Sequence, residues 1–289
     1  MFRIDAHTHV FPDSVMVERA ALCSSDTWFG LLYENPLARL ATVEDLIDSM
    51  DVAGIDHSVI CGFPWRDTGV CDVHNGYMQE AAQRYPGRLS WLGIVSPAHG
   101  GRSAKVAVDL FNRGAAGIGE LNADAQGFDL EATGKMTEAF EVCSELQKPV
   151  LLHASEPVGH FYPGKGSATP ARFLNFVSSF PDLRVVAAHW GGGLPFYELM
   201  PEVRLAARNV VYDSAASTYL YDFNVFRTVI DLAGRDKVLF GSDFPVLRQD
   251  RFVRRVSSVE WSCPDEELAV MAGNAARTYG ISLQGITQP

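Results

Sequence analysis

Eight times along the chain a short, mostly apolar segment is followed by an amphipathic one. This alternation limits the folds open to the chain more than any other feature. The apolar segments are Ile4–His9, His57–Phe63, Leu89–Val95, Ala116–Leu121, Pro149–His153, Arg184–His189, Asn209–Asp213 and Lys237–Asp243. Most are apolar along their length rather than at every second position, as strands buried on both faces are. The segments between them carry helical spacing. Thr42 and Asp45 make a capping-box pattern, Val43, Leu46, Ile47 and Met50 share one helical face, and Gly54 ends the run. Similar helices are expected over 70–84, 102–112, 131–147, 170–179, 195–207, 223–233 and 248–258. A last helix opens at Pro264, with Asp265, Glu266 and Glu267 in its first turn. Strands alternating with helices pair in parallel through right-handed crossovers. Eight such units in 289 residues predict a closed (β/α)8 barrel of the TIM type, one domain over residues 1–289.

Two connections are long. Residues 11–41 hold Pro12, Gly30 and Pro36 among large apolar groups such as Trp28, Phe29, Leu31, Leu32 and Tyr33. Connections of this length are usually functional. This one reads either as a lid over a pocket or as a packed excursion closing one barrel end. The other, 154–169, is rich in Gly and Pro. No Gly-x-Gly-x-x-Gly follows a strand, and Gly191-Gly192-Gly193 reads as a tight turn.

A net charge of −11 argues against a general role on nucleic acid or anionic membrane, both of which need a basic surface. It leaves room for a small anionic substrate held by a few local cations. The five cysteines, Cys23, Cys61, Cys71, Cys143 and Cys263, form no Cys-x-x-Cys and read as free thiols of a reducing compartment. The first residues have no charged-then-apolar leader, and no apolar run reaches the roughly 18 residues of a membrane span. The expected location is the cytoplasm.

In such barrels the active site lies at the C-terminal ends of the strands. His7, His9, Glu120, His153, His189 and Asp243 all occupy those ends. Taken singly, each has a plain reading as a polar group closing a strand. Together they include four of the chain's eight histidines, which chance does not explain. His7 and His9 are two residues apart on a strand, so both rings are expected on one face. Imidazole and carboxylate donors without thiolate suit zinc, and also manganese, iron or nickel. A metal with an open position activates water near neutral pH. Asp243 is expected to take that water's proton, bind the metal, or both. His189 is expected to steady charge developing on substrate oxygen. His160, Tyr162 and Lys165 in the loop after the fifth strand, and Arg248 after the eighth, are candidates for holding a substrate carboxylate or phosphate. Trp65, after the second strand, is a candidate for the pocket's apolar wall, with ordinary packing as the alternative.

These motifs resemble the amidohydrolase superfamily, in particular its amidohydrolase-related branch, which includes aminocarboxymuconate-semialdehyde decarboxylase and resorcylate decarboxylases. The resemblance is carried by Asp5-Ala6-His7-Thr8-His9, His153, His189-Trp190-Gly191-Gly192, Phe240-Gly241-Ser242-Asp243-Phe244-Pro245 and Asn274-Ala275-Ala276-Arg277, and covers essentially the whole chain. It implies one divalent metal, usually zinc, at the positions of His7, His9, His153 and Asp243, with His189 as base or electrostatic helper. Gly119-Glu120 matches instead a carboxylate that binds or bridges a second metal in the related TatD-like hydrolases. The single-ion pattern is the better match, and Glu120 is then an orienting group. The main expectation is a metal-dependent hydrolase in which activated water attacks a small C–N, C–O or ester substrate. The alternative is a non-oxidative decarboxylase of an aromatic or unsaturated acid. The decarboxylases often carry Glu or Ala in place of the first histidine. This chain keeps His7, which is neutral or leans towards hydrolysis. Homodimers are common among such relatives, so a dimer is the expected assembly.

Overall fold

Eight parallel strands follow one another around a single sheet in chain order. They are β1 (Ile4–His9), β2 (His57–Cys61), β3 (Leu89–Gly93), β4 (Gly117–Leu121), β5 (Val150–Leu152), β6 (Val185–Ala187), β7 (Val210–Asp213) and β8 (Val238–Leu239). The structure is a computed structural model and describes residues 1–283. The last six positions of the expected domain, 284–289, lie outside the described residues. The ends of the sheet meet through main-chain bonds: Ala6 N donates to Phe240 O at 2.8 Å, His9 N to Phe244 O at 2.6 Å and Asp243 N to His7 O at 2.9 Å. The result is the expected nearly closed (β/α)8 barrel.

The strands end earlier than the apolar runs do. His153 follows the last residue of β5 directly, His189 lies two residues past β6 and Asp243 four past β8. His189 and Asp243 have φ of 56° and 63°, in the left-handed region, where a chain cannot continue a ladder. The backbone turns there and aims the side chains at the barrel mouth.

Several helices are shorter than their sequence spans. The 131–147 span is helical over Thr137–Glu145, the 248–258 span over Gln249–Val256. The 195–207 span splits into Leu194–Tyr197 and Pro201–Ala206, because Pro201 has no N–H to carry an α-helix through. The capping box at Thr42 forms as expected: Asp45 N donates to Thr42 Oγ1 at 3.2 Å and Thr42 N to Asp45 Oδ2 at 2.9 Å. Residues 11–41 are not irregular but hold three short helices, Asp13–Val17, Arg19–Ser25 and Thr27–Tyr33.

Apolar side chains divide by strand face. Ile60, Trp91, Ile118, Val150, Val185, Tyr212 and Phe240 pack outward on helix residues such as Leu46, Met78, Leu110, Phe140 and Phe176. Ile4, Val59, Leu92, Leu151, Val186 and Leu239 form a second cluster with Ala272, Ala275 and Tyr279 of the last helix. Period-two alternation puts this second set inside the barrel. Both clusters are buried and apolar, so the strand ends are held on a close-packed frame. Among the described residues no helix is long and apolar enough to cross a membrane.

Candidate metal centre

β1 brings two imidazoles to the mouth. Its register with β2 is irregular between Asp5 and Thr8, yet the two rings converge, with His7 Nε2 and His9 Nε2 3.0 Å apart. Two carboxylates close on the same pair. Glu120 Oε2, from β4, stands 3.6 Å from His7 Nε2 and 3.4 Å from His9 Nε2. Asp243 Oδ1, beyond β8, stands 3.8 and 3.4 Å from the same atoms. Donors about 2.1 Å from one ion are about 3.0 Å apart in an octahedron and about 3.4 Å apart in a tetrahedron. The four groups therefore suit a single divalent cation.

The other oxygen of Glu120 faces a different group. Its Oε1 lies 3.0 Å from His153 Nδ1 and 3.3 Å from His189 Nε2, and those two nitrogens are 3.2 Å apart. Glu120 thus stands between two donor sets, one of His7, His9 and Asp243 and one of His153 and His189. His153 contacts Glu120 and His189, whereas the family resemblance groups it with His7, His9 and Asp243. Among the described residues the contacts of the Glu120 oxygens are with imidazoles, which makes it a candidate donor as well as a candidate orienting group.

Hydrogen bonds behind the rings fix which nitrogen faces the centre. His7 Nδ1 pairs with Asp213 Oδ2 at 2.8 Å, which leaves Nε2 turned inward. Asp213 Oδ1 accepts from the His189 and Ala215 amides at 2.9 and 3.0 Å. One buried carboxylate thus ties both donor sets together. His153 Nε2 lies 3.2 Å from Gly164 O, and His189 Nδ1 lies 3.3 Å from Ala215 O. Asp5 supports the frame: its Oδ1 accepts from the His7 and Ser242 amides, and its Oδ2 accepts from Gln249 Nε2 at 2.7 Å. Sequence reading passed over Asp213 as a site residue, although it ends its strand just as the donors end theirs. Cys61 also lies against the centre, its Sγ 3.6 Å from His9 Nδ1.

The electrostatics follow from burial and charge. Burial alone would lower His7 and His9, but Asp213, Glu120, Asp243 and the Cys61 thiol outweigh it, and both rings rise well above the usual imidazole range. His189 is pushed up to about 9: burial opposes the rise, and its bond to Glu120 drives it. Glu120 falls well below the ordinary carboxylate range and Asp243 falls too, as the imidazoles overcome the burial that would raise them. Protons and a cation compete for the same nitrogens.

The residues proposed for substrate are arranged less uniformly. Tyr162 donates its hydroxyl to Glu156 at 2.7 Å, beside the Ser155 that touches His153. Lys165 spends its ammonium on carbonyls of its own loop, Val158 at 2.6 Å and His160 at 3.2 Å. His160 is exposed on that loop. Arg248 is half-exposed and pairs with Asp250 at 3.0 Å. Trp65 is buried and gives its indole N–H to His74 Nδ1 at 2.9 Å, so it presents no polar edge. A cleft of about 470 Å³ elsewhere, lined by Phe223, Arg227, Val259 and Trp261, includes none of the six donors.

Comparison with known proteins shows the family and the fold. The model of the family described as Amidohydrolase matches residues 4–281, and the chain belongs to that family. Among solved structures, the chain is similar to 5-carboxyvanillate decarboxylase LigW from Sphingomonas paucimobilis, with TM-score 0.80, 18% identity, and coverage of 97% of this chain and 99% of that one. It is also similar to a 5-carboxyvanillate decarboxylase from Novosphingobium aromaticivorans, complexed with manganese and 4-hydroxy-3-methoxy-5-nitrobenzoic acid, with TM-score 0.77, 19% identity and 96% of each chain covered. A third is a dihydroxybenzoic acid decarboxylase from Polaromonas sp. JS666 with bound manganese and the inhibitor 2-nitroresorcinol, with TM-score 0.71, 16% identity and coverage of 96% and 97%. At these identities the likeness establishes the barrel. No curated protein matches the sequence.

Proposed function

We propose that this chain is a metal-dependent carboxy-lyase that removes CO₂ from a small aromatic or unsaturated carboxylic acid without an oxidant. One observation carries the reading: six ionisable donors from five strands meet at the mouth of a barrel similar over nearly its whole length to aromatic-acid decarboxylases. This reverses the order of the two expectations drawn from the sequence. The manganese and phenolic ligands of two of those structures support it further.

The nitrogen and oxygen donors suit manganese as well as zinc. In this reading His7, His9, Glu120 and Asp243 hold one ion. When bound, the cation supplies a Lewis acid for an oxygen of the substrate. His189 keeps its ring proton and is the group that delivers a proton to carbon as CO₂ leaves. Asp213 holds His7 and the His189 backbone in register for this.

Hydrolysis is a second reading, favoured by the division of the donors around Glu120. A carboxylate between two donor sets suits two ions, which clamp the attacking and leaving oxygens of a displacement. Both sets would then be filled, and Asp243, held below the usual carboxylate range, would take the proton of water.

The two readings differ in stoichiometry and product. The lyase reading expects about one equivalent of metal, and CO₂ from 5-carboxyvanillate or 2,6-dihydroxybenzoate. Two equivalents, with cleavage of esters or lactones and no CO₂, would replace it with hydrolysis.

A further inference from the structure

The three helices of residues 11–41 end at Tyr33, and the chain holds that end firmly. Arg19 Nε donates to the Tyr33 carbonyl at 2.8 Å, and its Nη2 donates to the carbonyls of Asn35 and Ala38 at 2.6 and 2.9 Å. Leu32 presses on the loop after β5, where a Cβ on Gly164 would lie 3.0 Å from Leu32 Cδ2. This is a strap laid from β1 towards β5. The Tyr33 ring is set among Phe11, Phe29 and Phe63, with centroids 5.5, 4.8 and 6.1 Å away. Phe11 is two residues past His9, and Phe63 is two residues past Cys61, the register partner of His9. Three rings therefore hold the phenol beside the first donor set.

The ionisable groups that face it are His9, Asp243, Glu120 and Arg19. Among the described residues nothing hydrogen-bonds to its hydroxyl. Tyr33 is only partly buried, and its hydroxyl is not committed to the protein as those of Tyr162, Tyr77 and Tyr212 are with Glu156, the Val43 amide and Glu198. That leaves its hydroxyl open to a molecule entering the mouth.

We propose that Tyr33 binds substrate, its hydroxyl donating a hydrogen bond to a carboxylate or phenolate oxygen of an acid held at the centre. The proposal rests on the lyase reading for the identity of that acid. Burial pushes the phenol up to about 12, so it keeps its proton and is a donor at neutral pH. Nothing in the sequence pattern separates this tyrosine from the apolar residues around it.

The test is Tyr33→Phe, which leaves the ring packing in place and removes only the oxygen. Binding of 2-nitroresorcinol and of 2,6-dihydroxybenzoate to the metal-loaded protein is measured by calorimetry, with metal content and Tm recorded for each protein. A lost hydrogen bond to a charged group is expected to weaken binding about 10- to 100-fold. Metal content and Tm are expected to match the wild type. Where an acid is turned over, kcat/KM should fall by a similar factor. Unchanged affinity in Tyr33→Phe would overturn this inference and leave the lyase reading standing. Wild-type protein that binds neither acid and releases no CO₂ would remove both.

Discussion

Single side chains decide the chemistry here, and they do so by which atom they turn inward. Among the described residues His9 makes its nitrogen contacts with the other groups of the centre and with the Cys61 thiol. His9→Ala is expected to lose metal by elemental analysis, and full retention would take His9 out of the donor set. Glu120 touches both sets, so Glu120→Gln is expected to weaken metal binding at least tenfold, read by competition with a chelator. The same measurement carries a pH prediction. His7 and His9 sit well above the usual imidazole range, so at neutral pH a cation must displace protons from them. Apparent affinity should therefore rise with pH through and above the neutral range. A flat profile would mean that the imidazoles are not the ligands. The six donors were legible in the sequence because each ends an apolar run. Their division into two sets was not, since it depends on which oxygen of Glu120 faces which ring.

The loops after the strands locate these groups, and glycine makes their packing feasible. Gly192 has φ 60°, and a Cβ there would lie 2.3 Å from the Ser155 carbonyl oxygen. The loop after β6 can approach the loop after β5 only without a side chain. Gly192→Ala is expected to cost about 2 kcal/mol or more, from left-handed strain and this clash, seen as a lower Tm. The triple glycine was readable as a turn, but its contact with Ser155 was not, because the two are far apart in sequence. From its length the 11–41 connection read either as a lid over a pocket or as a packed excursion. Its three helices escaped notice because they are too short for a hydrophobic period to show. Left-handed backbone at His189, two residues past β6, accompanies a ladder that ended earlier than apolar content suggested.

For the whole molecule, the donors arrive from β1, β4, β5, β6 and β8, so a cation bound among them ties distant parts of the barrel together. Ligand that binds only the folded chain stabilises it by roughly 2.7 kcal/mol at a hundredfold excess over Kd and by roughly 4.1 at a thousandfold excess. Removing metal with a chelator should then lower Tm by several degrees, and restoring manganese or zinc should recover it. An unchanged Tm would argue against a centre of this kind. The barrel, its order of elements and the residues at its mouth could be read from the chain alone, because burial on both faces and helical periodicity are local patterns that recur along it. Closure of β8 on β1, the pairing of Asp213 with His7, the two-sided placement of Glu120 and the arrival of Tyr33 beside His9 could not. Each joins residues that are far apart along the chain or hidden among apolar neighbours, and only the packed barrel sets the angle and distance at which they meet.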